Sequence, residues 1–342
     1  MKARQPQLPQ EILPHSNRLI QIILTLLCPW LIFALANIGA NLYLKNFPQN
    51  RGYWLIQQKW SMLMNTKEPI DWLILGDSSC NQGVIPQIME TELSATAMNL
   101  CTIGDSLVLN DAWMLSKYIK EHGAPKNILL VHVYDIWDRE IKWNVTGQTP
   151  LNWGYWKKLE PNLSLNTWEK KEVFVNKYIP LYSQNTSLKK AIENNDGFFD
   201  KKYKLEPKGY MVVSEADPWR VERDSRGHLK EIAKSQQFSL SQTNRKSLDA
   251  LIKLAEKHEI NIYLANSPLY QKLYRDADFQ AYYNKVQQEF EKVSDRHKNF
   301  HRVMIEPMTF NKEEMENADH LISSSAEAYT KQLVKEIKSQ SK

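Results

Sequence analysis

Between Arg18 and Lys45 the chain carries no charged residue, and this 19–44 run constrains the fold more than anything that follows it. About 20 apolar residues suffice to cross a hydrocarbon core of roughly 30 Å, so the run reads as a single membrane-spanning helix preceded by a short flank, residues 1–18. Pro29 falls near its middle, where a transmembrane helix tolerates it, and Tyr43 stands where an interfacial aromatic belt is expected. Ala34-Leu35-Ala36 offers the alternative of a signal-peptidase site. The apolar character runs on well past Ala36 and the flank is long, which favours a retained anchor. Lys2, Arg4 and Arg18 precede the run while Lys45, Arg51 and Lys59 follow it, so flanking charge does not set the orientation. One early span ahead of a large polar domain is expected to place that domain outside the cytoplasm.

The rest of the 342 residues suits one elaborated domain better than two. Net charge is +5 with both signs interspersed and no dense Lys/Arg block, which argues against a nucleic-acid partner. Cys28 lies in the span, leaving Cys80 and Cys101 as either a disulfide or two small buried thiols. No Cys/His cluster has metal-site spacing, and no cofactor is expected.

After a connector at 45–70, helical over 53–64, strand and helix patterns alternate. Strands are expected at 72–75, 95–100, 127–133, 261–265 and 302–305. Helices are expected at 85–93, 110–122, 242–259, 278–297 and 325–337. His122-Gly123 before Ala-Pro is a good helix stop. Strands separated by helix-length segments imply right-handed crossovers and a parallel sheet. The expected fold class is α/β, a flavodoxin-like three-layer α/β/α sandwich occupying 71–342. Residues 136–240 break the rhythm with Trp137, Trp143, Trp153, Trp156, Trp168 and Trp219 and read as an insertion. Its tryptophans form either a subdomain core or an exposed platform for sugar rings.

Chemistry is concentrated at two places. Gly76-Asp77-Ser78-Ser79 follows the apolar run Trp72-Leu73-Ile74-Leu75, and a serine on a glycine-assisted turn past a strand's carboxyl end stands where open α/β sheets present reactive groups. Ser78 is the candidate nucleophile, with an ordinary polar turn as the alternative. A serine needs a base, and the base a partner that fixes its tautomer. Glu316-Asn317-Ala318-Asp319-His320-Leu321, before the last helix, offers His320 as that base.

Three segments in order resemble the SGNH (GDSL-like) hydrolase superfamily, especially its membrane-anchored bacterial branch associated with acylation of cell-surface polymers. Gly76-Asp77-Ser78 is similar to the first block, whose serine is the nucleophile. Met98-Asn-Leu-Cys-Thr-Ile-Gly104 is similar to the second, whose glycine N–H helps form the oxyanion hole. Asn317-Ala-Asp-His320 resembles the final Asp-x-x-His block. The chain departs from the pattern in two ways. Asn317 replaces the aspartate that orients the histidine; its carbonyl can fix the imidazole but adds no charge, while Asp319, an alternative carboxylate, is adjacent to His320 and so poorly placed for an Nδ1 contact. The third block, Gly-x-Asn-Asp, is absent, and Val133-Tyr134-Asp135 stands in its place. Asp135 cannot donate to an oxyanion unless protonated, so the hole is expected to rest on the N–H groups of Ser78 and Gly104, with Asp77 and Asp135 in support. The resemblance implies a serine esterase or O-acyltransferase acting on an acylated carbohydrate or envelope polymer. The alternative is a catalytically reduced partner domain beside a multispanning acyltransferase. A phosphate-binding reading lacks any Gly-x-Gly-x-x-Gly or Walker-type loop.

Overall fold

The computed structural model describes residues 15–194, 203–234 and 238–340; most of the amino-terminal flank and two short pieces of the insertion lie outside them. Helix α1 (His15–Asn46) contains the apolar run and is long and apolar enough to cross a membrane. Its middle is uncovered, with Trp30, Leu31 and Ile32 exposed.

Helix α2 (Arg51–Asn65) starts at the N-cap Asn50, whose side chain accepts from Tyr53 N–H. Leu55, Ile56, Lys59, Trp60 and Leu63 share one helical face and are buried. The segment read as a connector is therefore part of the core. Strand β1 (Trp72–Gly76), helices α3 (Ser78–Gly83) and α4 (Pro86–Leu93), strand β2 (Ala97–Asn99), helix α5 (Leu107–His122) and strand β3 (Asn127–His132) follow. The insertion contributes α6 (Trp143–Thr146), α7 (Thr167–Tyr178), α8 (Pro180–Ser183), α9 (Asn185–Asn194), the antiparallel pair β4 (Tyr203–Leu205) and β5 (Met211–Val213), and α10 (Pro218–Lys234). The main rhythm resumes with α11 (Gln242–Lys257), β6 (Asn261–Asn266), β7 (Leu269–Tyr270), α12 (Gln271–Tyr274), α13 (Ala277–Ser294) and β8 (Phe300–Val303). The chain ends through β9 (Thr309–Phe310), β10 (Met315–Asn317), β11 (His320–Leu321) and α14 (Ser323–Gln340).

Five strands form one parallel sheet in the order β2-β1-β3-β6-β8, flanked by helices. Leu73, Ile74 and Leu75 in β1 and Ile128 to Val131 in β3 are fully buried. Such continuous apolar runs belong to strands covered on both faces. The last strand sits two residues earlier than its apolar pattern suggests. Met304 takes a left-handed conformation (φ 51°), and Asn266 Nδ2 donates to the carbonyls of Met304 and Ile305, turning the chain off the sheet. The insertion's tryptophans divide. Trp137 and Trp156 join the main core, whereas Trp153, Trp168 and Trp219 are exposed.

Candidate active site

The turn after β1 is built for one residue type. Gly76 has φ +149°, and a Cβ there would lie 1.9 Å from the Val131 carbonyl oxygen, so only glycine fits. The turn brings Asp77 to the N-cap of α3, where its Oδ1 accepts from Ser79 N–H (2.9 Å) and Ser79 Oγ–H (2.6 Å). Its Oδ2 accepts from Val133 N–H at 2.7 Å, tying the turn that carries Ser78 to the end of β3. Ser78, at the first helical position, is half-buried.

Beneath this turn lies a buried charge cluster. His132, the last residue of β3, donates from Nε2 to Asp111 Oδ2 (2.6 Å), and its Nδ1 is 3.4 Å from Asp77 Oδ2. Burial alone would lower the His132 pKa, but the two carboxylates outweigh it and push the imidazole up to about 9. Burial would likewise raise Asp77, yet its contact with His132 and the Ser79 and Val133 donors hold it well below the usual carboxylate range. Asp77 is thus an ionised, neutralised cap.

The loop after β2, where the second motif places an oxyanion hole, is held from several sides. Asn99 Nδ2 donates to the carbonyls of Cys80 (3.2 Å) and Val84 (2.9 Å), and its Oδ1 accepts from Cys101 N–H (3.0 Å). A disulfide joins Cys80 to Cys101, which settles the choice between disulfide and free thiols. Lys59 of α2, fully buried, donates to Asn99 O (2.8 Å), Asn99 Oδ1 (3.1 Å) and Gly209 O.

His320 arrives on the β10–β11 hairpin, which carries a register shift between Met315 and Asn317. The chain folds back tightly enough for Asn317 Oδ1 to accept from Asp319 N–H at 3.0 Å. As a result His320 Nδ1–H donates to both Asp319 Oδ1 (2.7 Å) and Asn317 Oδ1 (2.8 Å). Adjacency in sequence does not prevent the Asp319 contact, because the bulged hairpin turns that carboxylate back onto the ring. Burial opposes the imidazolium, but the Asp319 charge and hydrogen bond prevail and raise the His320 pKa. Asp319 is reciprocally lowered against its own burial penalty. With Nδ1 engaged, Nε2 is the nitrogen left to take a proton.

Ser78, Gly104, Asn317, Asp319 and His320 line one cavity of about 290 Å³ past the carboxyl ends of the sheet strands. Two further residues, which the sequence patterns did not single out, line it as well. Arg139 donates to Asp135 Oδ2 at 2.5 Å, and its Nη1 would be 3.1 Å from a Cβ built on Gly104. A Cβ at 104 would press hardest on Ile136 Cδ1, at 2.7 Å, so the glycine makes room first for Ile136 and then for the guanidinium beside the loop expected to form the oxyanion hole. Burial disfavours that charge, but Asp135, Asp77 and Asp319 keep Arg139 protonated. His228 of α10 also lines the cavity, its Nδ1 3.8 Å from Asp135 Oδ2. Asp135 itself supports the cavity through Arg139. The i, i+4 spacing of Asp135 and Arg139 and a histidine ending the apolar β3 run were the available sequence signals; Asp111, on the buried face of a helix, gave none. Among the described residues no group of three or more His, Cys, Asp or Glu could hold a metal ion.

No protein-family model matches the chain, and a comparison with curated proteins finds no match.

Proposed function

We propose that the chain is a membrane-anchored serine acyl-transfer enzyme of SGNH-like design, an esterase or O-acyltransferase. The observation that carries this reading is the convergence of Ser78, the His320–Asp319–Asn317 cluster and Gly104 on one cavity at the carboxyl edge of a parallel sheet. The order of the five central strands, 2-1-3-4-5 when counted along the chain, supports a flavodoxin-like layered arrangement.

In the proposed reaction Ser78 Oγ attacks an ester carbonyl while His320 Nε2 takes its proton. The oxyanion is met by the N–H groups of Ser78 and Gly104 and by the Arg139 guanidinium, which stands in for the missing third-block asparagine. Collapse breaks the ester C–O bond, and His320 returns the proton to the leaving oxygen. Water or an acceptor hydroxyl then repeats the sequence on the acyl-serine, with His320 again as base. A catalytically reduced partner domain is the weaker reading, because Asp319 offers a carboxylate to His320 and Arg139 a cationic donor beside Gly104 where the motif pattern lacks them. The cavity lining suits a short acyl group and a hydroxyl-rich acceptor, since only Ile103, Val133 and Ile136 are apolar. An acylated envelope or exported polysaccharide fits that chemistry, as the resemblance implies. The Cys80–Cys101 disulfide supports an oxidising compartment and hence an extracytoplasmic domain.

A fluorophosphonate probe tests the nucleophile, because only an activated serine reacts readily. Labelling of the full chain should map to Ser78 and disappear in Ser78→Ala and His320→Ala. No labelling of a folded, disulfide-intact wild type would reject the enzyme and favour the partner-domain reading.

A further inference from the structure

The last two turns of α1 have two different surroundings. Asn37, Ala40 and Leu44, spaced i, i+3 and i+7, are buried (5 %, 7 % and 8 % exposed), while Ile38 and Leu42 between them are 57 % and 56 % exposed. The buried face is covered by α8 and α9, which pack on α1. Two hydrogen bonds fix this arrangement. Leu181 N–H donates to Asn37 Oδ1, and Tyr43 O–H donates to the Ala191 carbonyl, each at 3.2 Å.

The level of these contacts follows from helix geometry. A core of about 30 Å takes about 20 helical residues, so a span entered at Leu19 reaches its far boundary near Ile38. The charge-free run continues to Leu44. Asn37, at this boundary, is the residue that α8 covers. α8 and α9 are thus level with the uncovered, apolar Ile38 and Leu42, at the depth where lipid meets water.

Their outward surface fits that place. Beyond α1, eight large hydrophobic residues are exposed among the described residues. Six of them, Trp153, Trp168, Phe174, Tyr178, Tyr182 and Ile192, fall in this part of the insertion, the other two being Trp219 and Ile305. Tyr182 on α8 is 74 % exposed and Ile192 on α9 is 63 % exposed. Lys189 and Lys190 are exposed beside them and can reach anionic headgroups. Aromatic rings and snorkelling lysines are the side chains that interfaces favour.

We infer that α8 and α9 lie in the membrane interface against the last turns of α1, with Tyr182 and Ile192 in contact with lipid. The domain then has a second seat on the bilayer and does not swing freely on its anchor. The insertion becomes a collar that sets the height and tilt of the cavity, to which it connects through α6 and the Lys142–Asp105 ion pair (2.8 Å) beside Gly104. The inference rests on α1 spanning the membrane and is independent of the enzymatic reading.

Depth can be measured on the full chain in phosphatidylcholine–phosphatidylglycerol vesicles. In a Cys28→Ser background, nitroxides are placed singly at Tyr182→Cys, Ile192→Cys, Leu31→Cys and Lys253→Cys, all exposed positions. Collision with oxygen is compared with collision with a nickel chelate. Labels at 182 and 192 should report depths between that of 31, in hydrocarbon, and that of 253, in water. If 182 and 192 match 253 while 31 reports hydrocarbon, the collar is rejected with the span intact. If 31 also reports water, the span reading fails and the inference with it. Fluorophosphonate labelling of the same samples reads the active site separately.

Discussion

Arg139 decides how the cavity can carry negative charge. Asp77, Asp105 and Asp319 line it, with Asp135 behind Arg139, and an oxyanion formed among these carboxylates would be strongly disfavoured without cationic compensation. His132 neutralises Asp77, and Arg139 faces Asp135 while reaching the space beside Gly104. Arg139→Ala should lower kcat by about 10²- to 10³-fold, the usual cost of losing one oxyanion donor, with Ser78 still present and the disulfide intact. Unchanged kcat in that variant would remove Arg139 from the hole. Asp319 has a different signature. His320 works as a base only when neutral, and its pKa lies above the ordinary 6.5, so activity should rise with pH along a limb set above that value. Asp319→Asn removes the charge that raises this pKa and leaves the burial that lowers it. The limb should therefore move to lower pH, and kcat should fall by about 10²-fold, since Asn317 still holds the tautomer. A limb that stays in place in the pH–rate profile would show that Asp319 does not govern the base.

Two loops from neighbouring strands must keep register for the site to exist, and the Cys80–Cys101 disulfide with the Asn99 side chain binds them together. The bridge closes a sequence separation of 21 residues, for which loop-closure entropy gives about 3 kcal/mol of stability. Replacing both cysteines by serine should cost about that amount in denaturant unfolding. It should reduce activity further at temperatures where the fold persists; full activity there would mean that Asn99 and Lys59 suffice to hold the loops. The same scale separates what could be read in the sequence from what could not. β1, β3 and β6 were legible because strands buried on both faces are uninterrupted apolar runs, and Gly76-Asp77-Ser78 was legible because it follows one. α3 was not, because six residues capped by an aspartate are too short to show a helical period. The β10–β11 hairpin was not, because its buried residues include Glu316, Asn317, Asp319 and His320, which no hydrophobic pattern places inside. Its burial is supported by Arg220, which donates to Glu316 at 2.6 Å, and by Arg51 at 3.8 Å. Such long-range partners leave no local trace.

At the scale of the molecule, the helix that follows the long apolar helix is also a strut of the candidate site. α2 sends Arg51 to Glu316, one residue from Asn317, and Lys59 to Asn99, at the root of the loop that carries Gly104. It thereby touches both arms of the cavity from below. Leu55, Ile56, Trp60 and Leu63 are essentially inaccessible to solvent. At about 1.5–3 kcal/mol for each fully buried side chain, the four amount to roughly 6–12 kcal/mol, comparable to the whole net stability of a typical domain, about 5–15 kcal/mol. Removing the helix would also leave Asn110 Oδ1 without the Trp60 Nε1–H that it accepts at 3.0 Å. A soluble fragment beginning at residue 48, which lacks the span but keeps α2, should therefore fold cooperatively and retain whatever fluorophosphonate reactivity the full chain has. One beginning at residue 67, just ahead of the first sheet strand, should be unfolded or aggregated. Thermal unfolding followed by circular dichroism separates the two, and equal melting temperatures would show that α2 is only a tether.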